Sequence, residues 1–170
     1  GNLAERFQYF GYWEAMLHAN FPNLKLSVRN QGFTGDEVRF RPRSLDFGTP
    51  DLHLTSVKAD LIFAFLGFSE SFRGEAGLKT FSAELEQFIT HTLSQKYNGS
   101  TPPRLVLISP IAHEDLGTRN FPDGTESNPN IALYTAAMAR AAKSHQIPFI
   151  NLFELTKKLY AQDNSFYTFN

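Results

Sequence analysis

Three short stretches of this sequence hold side chains whose types and spacing could do chemistry. His113-Glu114-Asp115 sets an imidazole beside two carboxylates, and a neutral histidine so placed can serve as a general base. A loop in which His113 bonds to backbone while Glu114 and Asp115 face water is the plainer reading of the same residues. Metal binding by this cluster lacks a second group with ligand spacing, so no metal is expected. Gly67-Phe68-Ser69-Glu70 offers a hydroxyl that can donate to a ligand or cap the turn that follows. Asn30-Gln31-Gly32-Phe33-Thr34-Gly35-Asp36 is a loop in which Gly32 suits a tight turn or a close backbone approach to substrate. The other histidines (His18, His53, His91 and His145) lie in helical patterns or a long loop and suggest no partner.

The elements that must position these stretches follow from hydrophobic spacing. The unbroken apolar run Leu61–Leu66, at the end of Asp60–Leu66, predicts a strand buried on both faces. Pro103–Pro110, again with an apolar run, predicts the next strand, and Ile147–Leu152 another. Leu24, Leu26 and Val28 alternate with polar residues and predict a further strand with one wetter face. Phe7, Phe10, Trp13 and Leu17 predict one helix over Glu5–Asn20, with Gly11 weakening it without breaking it. Leu78 to Leu93 at three- and four-residue steps predicts a long helix, Asn130–His145 a second, and Leu155–Ala161 the start of a third. Arg39–Lys58, punctuated by Pro42, Gly48 and Pro50, is a long connection with room for a short helix.

Apolar strands alternating with amphipathic helices imply an α/β three-layer sandwich on a parallel sheet with right-handed crossovers. Four parallel strands are expected, Leu61–Leu66 near the middle. Loops at the carboxyl ends of such strands converge on one crevice, which would gather residues 1–6, 30–36, 67–72 and 110–119. A first helix with no strand feeding it leaves a gap in this scheme, so a strand ahead of Gly1 is expected.

Composition narrows the function classes. The 170 residues suit a single domain, 1–170, with 42% hydrophobic and 19% charged residues. Seventeen Phe point to an aromatic-rich core and cleft. A net charge of −1 without a basic block argues against nucleic acid as a partner. No run reaches the ~18 apolar residues of a membrane span, and there is no cysteine for disulfides, thiolate–zinc sites or a thiol nucleophile.

The loop residues resemble the SGNH/GDSL hydrolase superfamily across essentially the whole chain. Asn30 to Asp36 is similar to its Asn-x-Gly-x-x-Gly-Asp block II, Gly67-Phe68-Ser69-Glu70 falls at the Gly-x-Asn-Asp block III, and Gly1-Asn2-Leu3-Ala4-Glu5-Arg6 resembles the block I region. Ser109-Pro110-Ile111-Ala112-His113-Glu114 resembles a planctomycete-type bacterial subgroup, often attached to haem-binding or other modules.

The resemblance implies the three-layer (flavodoxin-like) fold and hydrolysis of acyl or acetyl esters, including those on carbohydrate. It implies a block I serine nucleophile, three oxyanion donors and a carboxy-terminal Asp-x-x-His. Gly32 matches the oxyanion glycine. Ser69 replaces the block III asparagine, and loss of one such donor costs about 10²–10³ in rate. Asn2 or Leu3 stands at the nucleophile position, and neither has a hydroxyl. No Asp-x-x-His is visible, and the sequence stops at Phe166-Tyr167-Thr168-Phe169-Asn170, where the family places it. A domain truncated at one or both ends is therefore expected. Asn30, Thr34, Glu70, His113 and Glu114 are the residues expected to bind a small-molecule or glycan ester, with no cofactor. A catalytically degenerate module that binds a ligand or docks within a larger protein is the alternative. An exported or periplasmic setting follows from the family alone.

Overall fold

The computed structural model describes residues 1–162 and 166–168. Its centre is a parallel sheet of three strands, β1 (Leu61–Phe65), β2 (Arg104–Ile108) and β3 (Phe149–Ile150), in that order. The register pairs Leu61 with Arg104 through Phe65 with Ile108, and Leu107 with Phe149. Seven helices accompany it among the described residues: α1 (Asn2–Phe10), α2 (Tyr12–Asn20), α3 (Pro50–Ser56), α4 (Phe68–Ser71), α5 (Gly74–Ser94), α6 (Ser127–Ser144) and α7 (Leu152–Tyr160).

Alternation along the strands divides the layers. Ile62, Ala64 and Leu66 of β1 and its continuation, with Leu105 and Leu107 of β2, face one side. There they pack with Phe81, Leu85 and Ile89 of α5 and Tyr134 and Met138 of α6. Leu85, Ile89, Leu107, Tyr134 and Met138 are sealed from solvent. Phe63 and Phe65 face the opposite side, where Trp13 and Phe7 meet them edge-on at 5.3 and 5.4 Å between ring centroids. Helices therefore cover both faces, as the alternation of patterns requires, and the α/β sandwich expected from the sequence is present.

Several boundaries differ from the sequence reading, each for a physical reason. Residues 5–20 do not form one helix, because Gly11 adopts φ +65° and its N–H closes α1 on the carbonyl of Phe7 at 3.3 Å. A left-handed glycine ends a helix at little cost. Residues 24–28 form no strand and belong to no sheet among the described residues. Alternation alone makes no strand without a neighbour to accept its hydrogen bonds. The sheet thus has three strands rather than four, and Leu61–Phe65 lies at its edge, not its middle. The short helix expected in the long connection is α3, started by Thr49, whose hydroxyl accepts from Leu52 N–H at 3.2 Å. Strand β3 keeps only two residues of the predicted Ile147–Leu152, since Asn151 already caps α7.

Candidate active site

Helix α1 begins at the carboxyl end of β1: a Cβ built on Gly1 would lie 3.3 Å from the Phe65 carbonyl oxygen. Its first turn is laced to the loop 30–36. Asn2 Oδ1 accepts from Gly35 N–H at 3.3 Å, and Asn30 Nδ2 donates to the Ala4 carbonyl at 2.5 Å. The Thr34 hydroxyl donates to Glu5. Asn30 Oδ1 in turn accepts from Gly32 N–H at 2.8 Å, so the backbone donor expected to face an oxyanion is already occupied. The absence of a side chain at Gly32 has its own explanation here. A Cβ would come within 2.8 Å of Ala4 Cβ and 3.0 Å of Glu5 N, so this loop can reach α1 only through a glycine.

Asp36 anchors the far end of the loop. It is buried, accepts from Arg43 at 2.7 and 3.0 Å, and accepts from Phe33 N–H at 3.1 Å. The Arg43 guanidinium lies over the Phe33 ring, 4.4 Å from its centroid. A planar bidentate pair of this kind fixes orientation as well as charge. Sequence reading did not anticipate it, since the partners stand seven positions apart in irregular chain.

The third stretch follows β1 directly. Gly67 turns with φ +93°, where a Cβ would meet Met138 Sδ at 3.1 Å. Ser69 is half-buried in the one-turn helix α4, and its hydroxyl has no partner among the described residues. Glu70 corrects an expectation: it is fully buried and cannot touch a ligand. Its Oε1 accepts from Val38 N–H at 2.9 Å and its Oε2 from Gly67 N–H at 3.0 Å. Burial pushes its carboxyl above the ordinary carboxylate range, against those hydrogen bonds. The segments at the end of β1 do meet: Asn2 is bonded to Gly35, and Glu70 to Val38, two residues beyond Asp36.

His113 and Glu114 lie elsewhere. With Asp115, Asp123, Lys157 and Tyr160 they line a cavity of about 500 Å³ beyond β2 and beside α7. Among the described residues no hydrogen bond or ion pair links His113 or Glu114 to residues 30–36 or 67–71. The 110–119 loop adjoins the 67–72 loop through apolar packing, Phe68 lying against the cluster of Ala112, Ile131 and Phe153. His113 Nε2 faces the Pro122 carbonyl at 3.1 Å, which can only accept, so this nitrogen carries the proton. Nδ1 is left to accept from the Ser127 hydroxyl at 3.1 Å. This is the one hydroxyl–imidazole bond among the described residues. Glu114 is buried and accepts from Tyr167 N–H, Thr168 N–H and the Thr168 hydroxyl. Burial raises its carboxyl, but those bonds outweigh burial and hold it below the ordinary range. Positions 169 and 170 of the terminal stretch lie outside the described residues.

Among the described residues no group of three or more His, Asp or Glu could hold a metal, and no helix is long and apolar enough to cross a membrane. No protein-family model and no curated protein matches this chain. Among solved structures it is similar to a mutant acetyl-xylooligosaccharide esterase from Geobacillus Stearmophilus, with a TM-score of 0.64 at 16% identity. The match covers 91% of this chain and 67% of that one. At that identity the likeness is one of fold.

Proposed function

We propose that this chain is an SGNH/GDSL-type ester-hydrolase domain, with acyl or acetyl esters, including those on carbohydrate, as its substrate class. The observation that carries the reading is the meeting of residues 1–2, 30–38 and 67–70 at the carboxyl end of β1, in a fold shared with an acetyl-xylooligosaccharide esterase. Strand ends are where such folds place their chemistry. Function is nonetheless decided by the site and not by the fold.

A specific observation favours the second reading, a degenerate module that binds a ligand without turning it over. Asn2 has no nucleophilic oxygen, Gly32 N–H is spent on Asn30, and Ser69 reaches less far than an asparagine. On this reading the site keeps its shape and has lost its chemistry.

Turnover of a p-nitrophenyl ester panel, from acetate to longer acyl chains, separates the two. The hydrolase reading expects hydrolysis above background by the unmodified protein and a gain of about tenfold or more in Ser69→Asn, which lengthens the donor. Ser127→Ala, assayed alongside, shows whether the Ser127–His113 pair is the source of any activity. If neither the unmodified protein nor Ser69→Asn or Asn2→Ser exceeds background, the hydrolase reading is dropped and the degenerate one stands.

A further inference from the structure

The candidate site at the end of β1 joins two loops that come from distant parts of the sequence, and one buried side chain ties them. Glu70 spans from Gly67 N–H, in the loop carrying Ser69, to Val38 N–H, two residues beyond Asp36. Asp36 holds Phe33 N–H and Arg43, and Phe33 adjoins Gly32. The path from Ser69 to Gly32 thus runs Glu70, Val38, Asp36, Phe33. We propose that Glu70 is the positioning residue of this site, its carboxylate fixing the Ser69 loop and the Gly32 loop in one register.

The chemistry of the side chain suits the task. A carboxylate offers two acceptor oxygens and no donor, so it can take an N–H from each loop at once. A carboxamide of the same shape offers one acceptor, and its NH₂ would meet the other N–H head on. A shorter carboxylate cannot reach both. Burial makes each bond matter more, because neither N–H can turn to water when its acceptor is lost. One other tie joins the same segments: Arg73 donates to Glu37 at 2.5 and 3.0 Å, with Arg73 about half exposed. The Arg73 side of this bidentate pair is screened by solvent whereas Glu70 is fully buried, which leaves Glu70 as the stronger link.

The kinetic consequence rests on the ester-hydrolase reading; the structural one does not. Backbone amide exchange by NMR is measured on the unmodified protein, Glu70→Gln, Glu70→Asp and Arg73→Ala. Glu70→Gln is expected to speed exchange by about tenfold or more, a loss of one buried bond, throughout residues 32–38 and 67–71 together. The amides of Leu85 and Leu107 are expected to stay unchanged, and Arg73→Ala to resemble the unmodified protein. Glu70→Asp keeps the charge and loses one methylene, and serves if the glutamine variant fails to fold. It is expected to keep the local Gly67 bond and release residues 32–38.

Where the protein turns over an ester, Glu70→Gln is expected to lower kcat by up to about 10²-fold with KM nearly constant, since misplacing catalytic groups by an ångström costs that much. Absence of turnover in every variant removes the hydrolase reading alone. Unchanged exchange at residues 32–38 in both Glu70 variants, or acceleration spread evenly over the core, overturns the positioning role.

Discussion

Gly32 shows how much can hang on a missing methyl group. Its neighbours, Ala4 Cβ and Glu5 N, belong to a short side chain and to backbone, so neither can swing away from an added Cβ. Gly32→Ala is expected to cost about 1–3 kcal/mol as α1 is pushed off the loop, read as a lowered denaturation midpoint. If stability is unchanged, the glycine's place here has no packing cause and its proposed role toward an oxyanion gains weight. At this scale the sequence was legible where a residue's constraint is local and obscure where its partner is remote. Gly32 was readable as a tight turn or a close backbone approach, and close approach to α1 is what requires it. Ser69 was readable as a hydroxyl at a strand end. That Asn30 would take the Gly32 N–H, or that Glu70 would vanish into the interior, depends on Val38 and Ala4, which lie 32 and 26 positions away.

Elements were legible in proportion to how much of their stability is their own. Helix α5, with apolar residues at helical steps over five turns, matched closely; so did β1 and β2, whose unbroken apolar runs suit strands covered on both faces. Residues 24–28 had only their alternation, and a strand also needs a partner. Helix α3 is the case where an element depends on tertiary bonds, and its attachment is electrostatic. Asp51 on α3 accepts from the Tyr97 hydroxyl at 2.6 Å and from His91 on α5 at 2.8 Å. Burial raises the Asp51 carboxyl, but those two bonds outweigh it and leave the group below its ordinary value. A carboxylate depressed in the folded state contributes stability that is present above its unfolded pKa and is lost as pH falls through the folded one. Asp51 is partly exposed, so Asp51→Asn is expected to lose only about 1 kcal/mol at neutral pH. Urea denaturation repeated down to about pH 3 should show the gap between the two proteins closing below the ordinary carboxylate range near 4. A gap that stays constant with pH would mean that the ionised form of Asp51 does not hold α3 in place.

Across the whole molecule, burial is unevenly shared. Of the first 60 residues only Asp36 and Val38 are buried, while the sealed core comes from β1, α5, β2 and α6. Tyr9, Phe10 and Tyr12 are 68%, 56% and 73% exposed, although α1 and α2 are patterned as amphipathic helices. Their attachment to the sheet is the pair of edge-on contacts that Phe7 and Trp13 make with Phe65 and Phe63, with the hydrogen bonds from α1 to residues 30–36. Local opening requires breaking only the contacts that cross the boundary of the opening segment. Opening α1 and α2 therefore leaves the Leu85–Tyr134–Leu107 core standing, whereas opening α5 or α6 dismantles it. Amide exchange in increasing urea should separate the two. The α5, α6 and β2 amides are expected to exchange through global unfolding with the full urea dependence, and the α1 and α2 amides by openings several kcal/mol cheaper and nearly insensitive to urea. The candidate site straddles that boundary, with Asn2 and Gly32 on the side that opens and Ser69 and Glu70 on the side that does not. Ligand binding across it would draw the two together, so a ligand of the site should slow exchange in α1 and residues 30–36 while leaving α5 and α6 as they were. Uniform exchange through all helices with one urea slope would refute this division and make the chain a single cooperative unit.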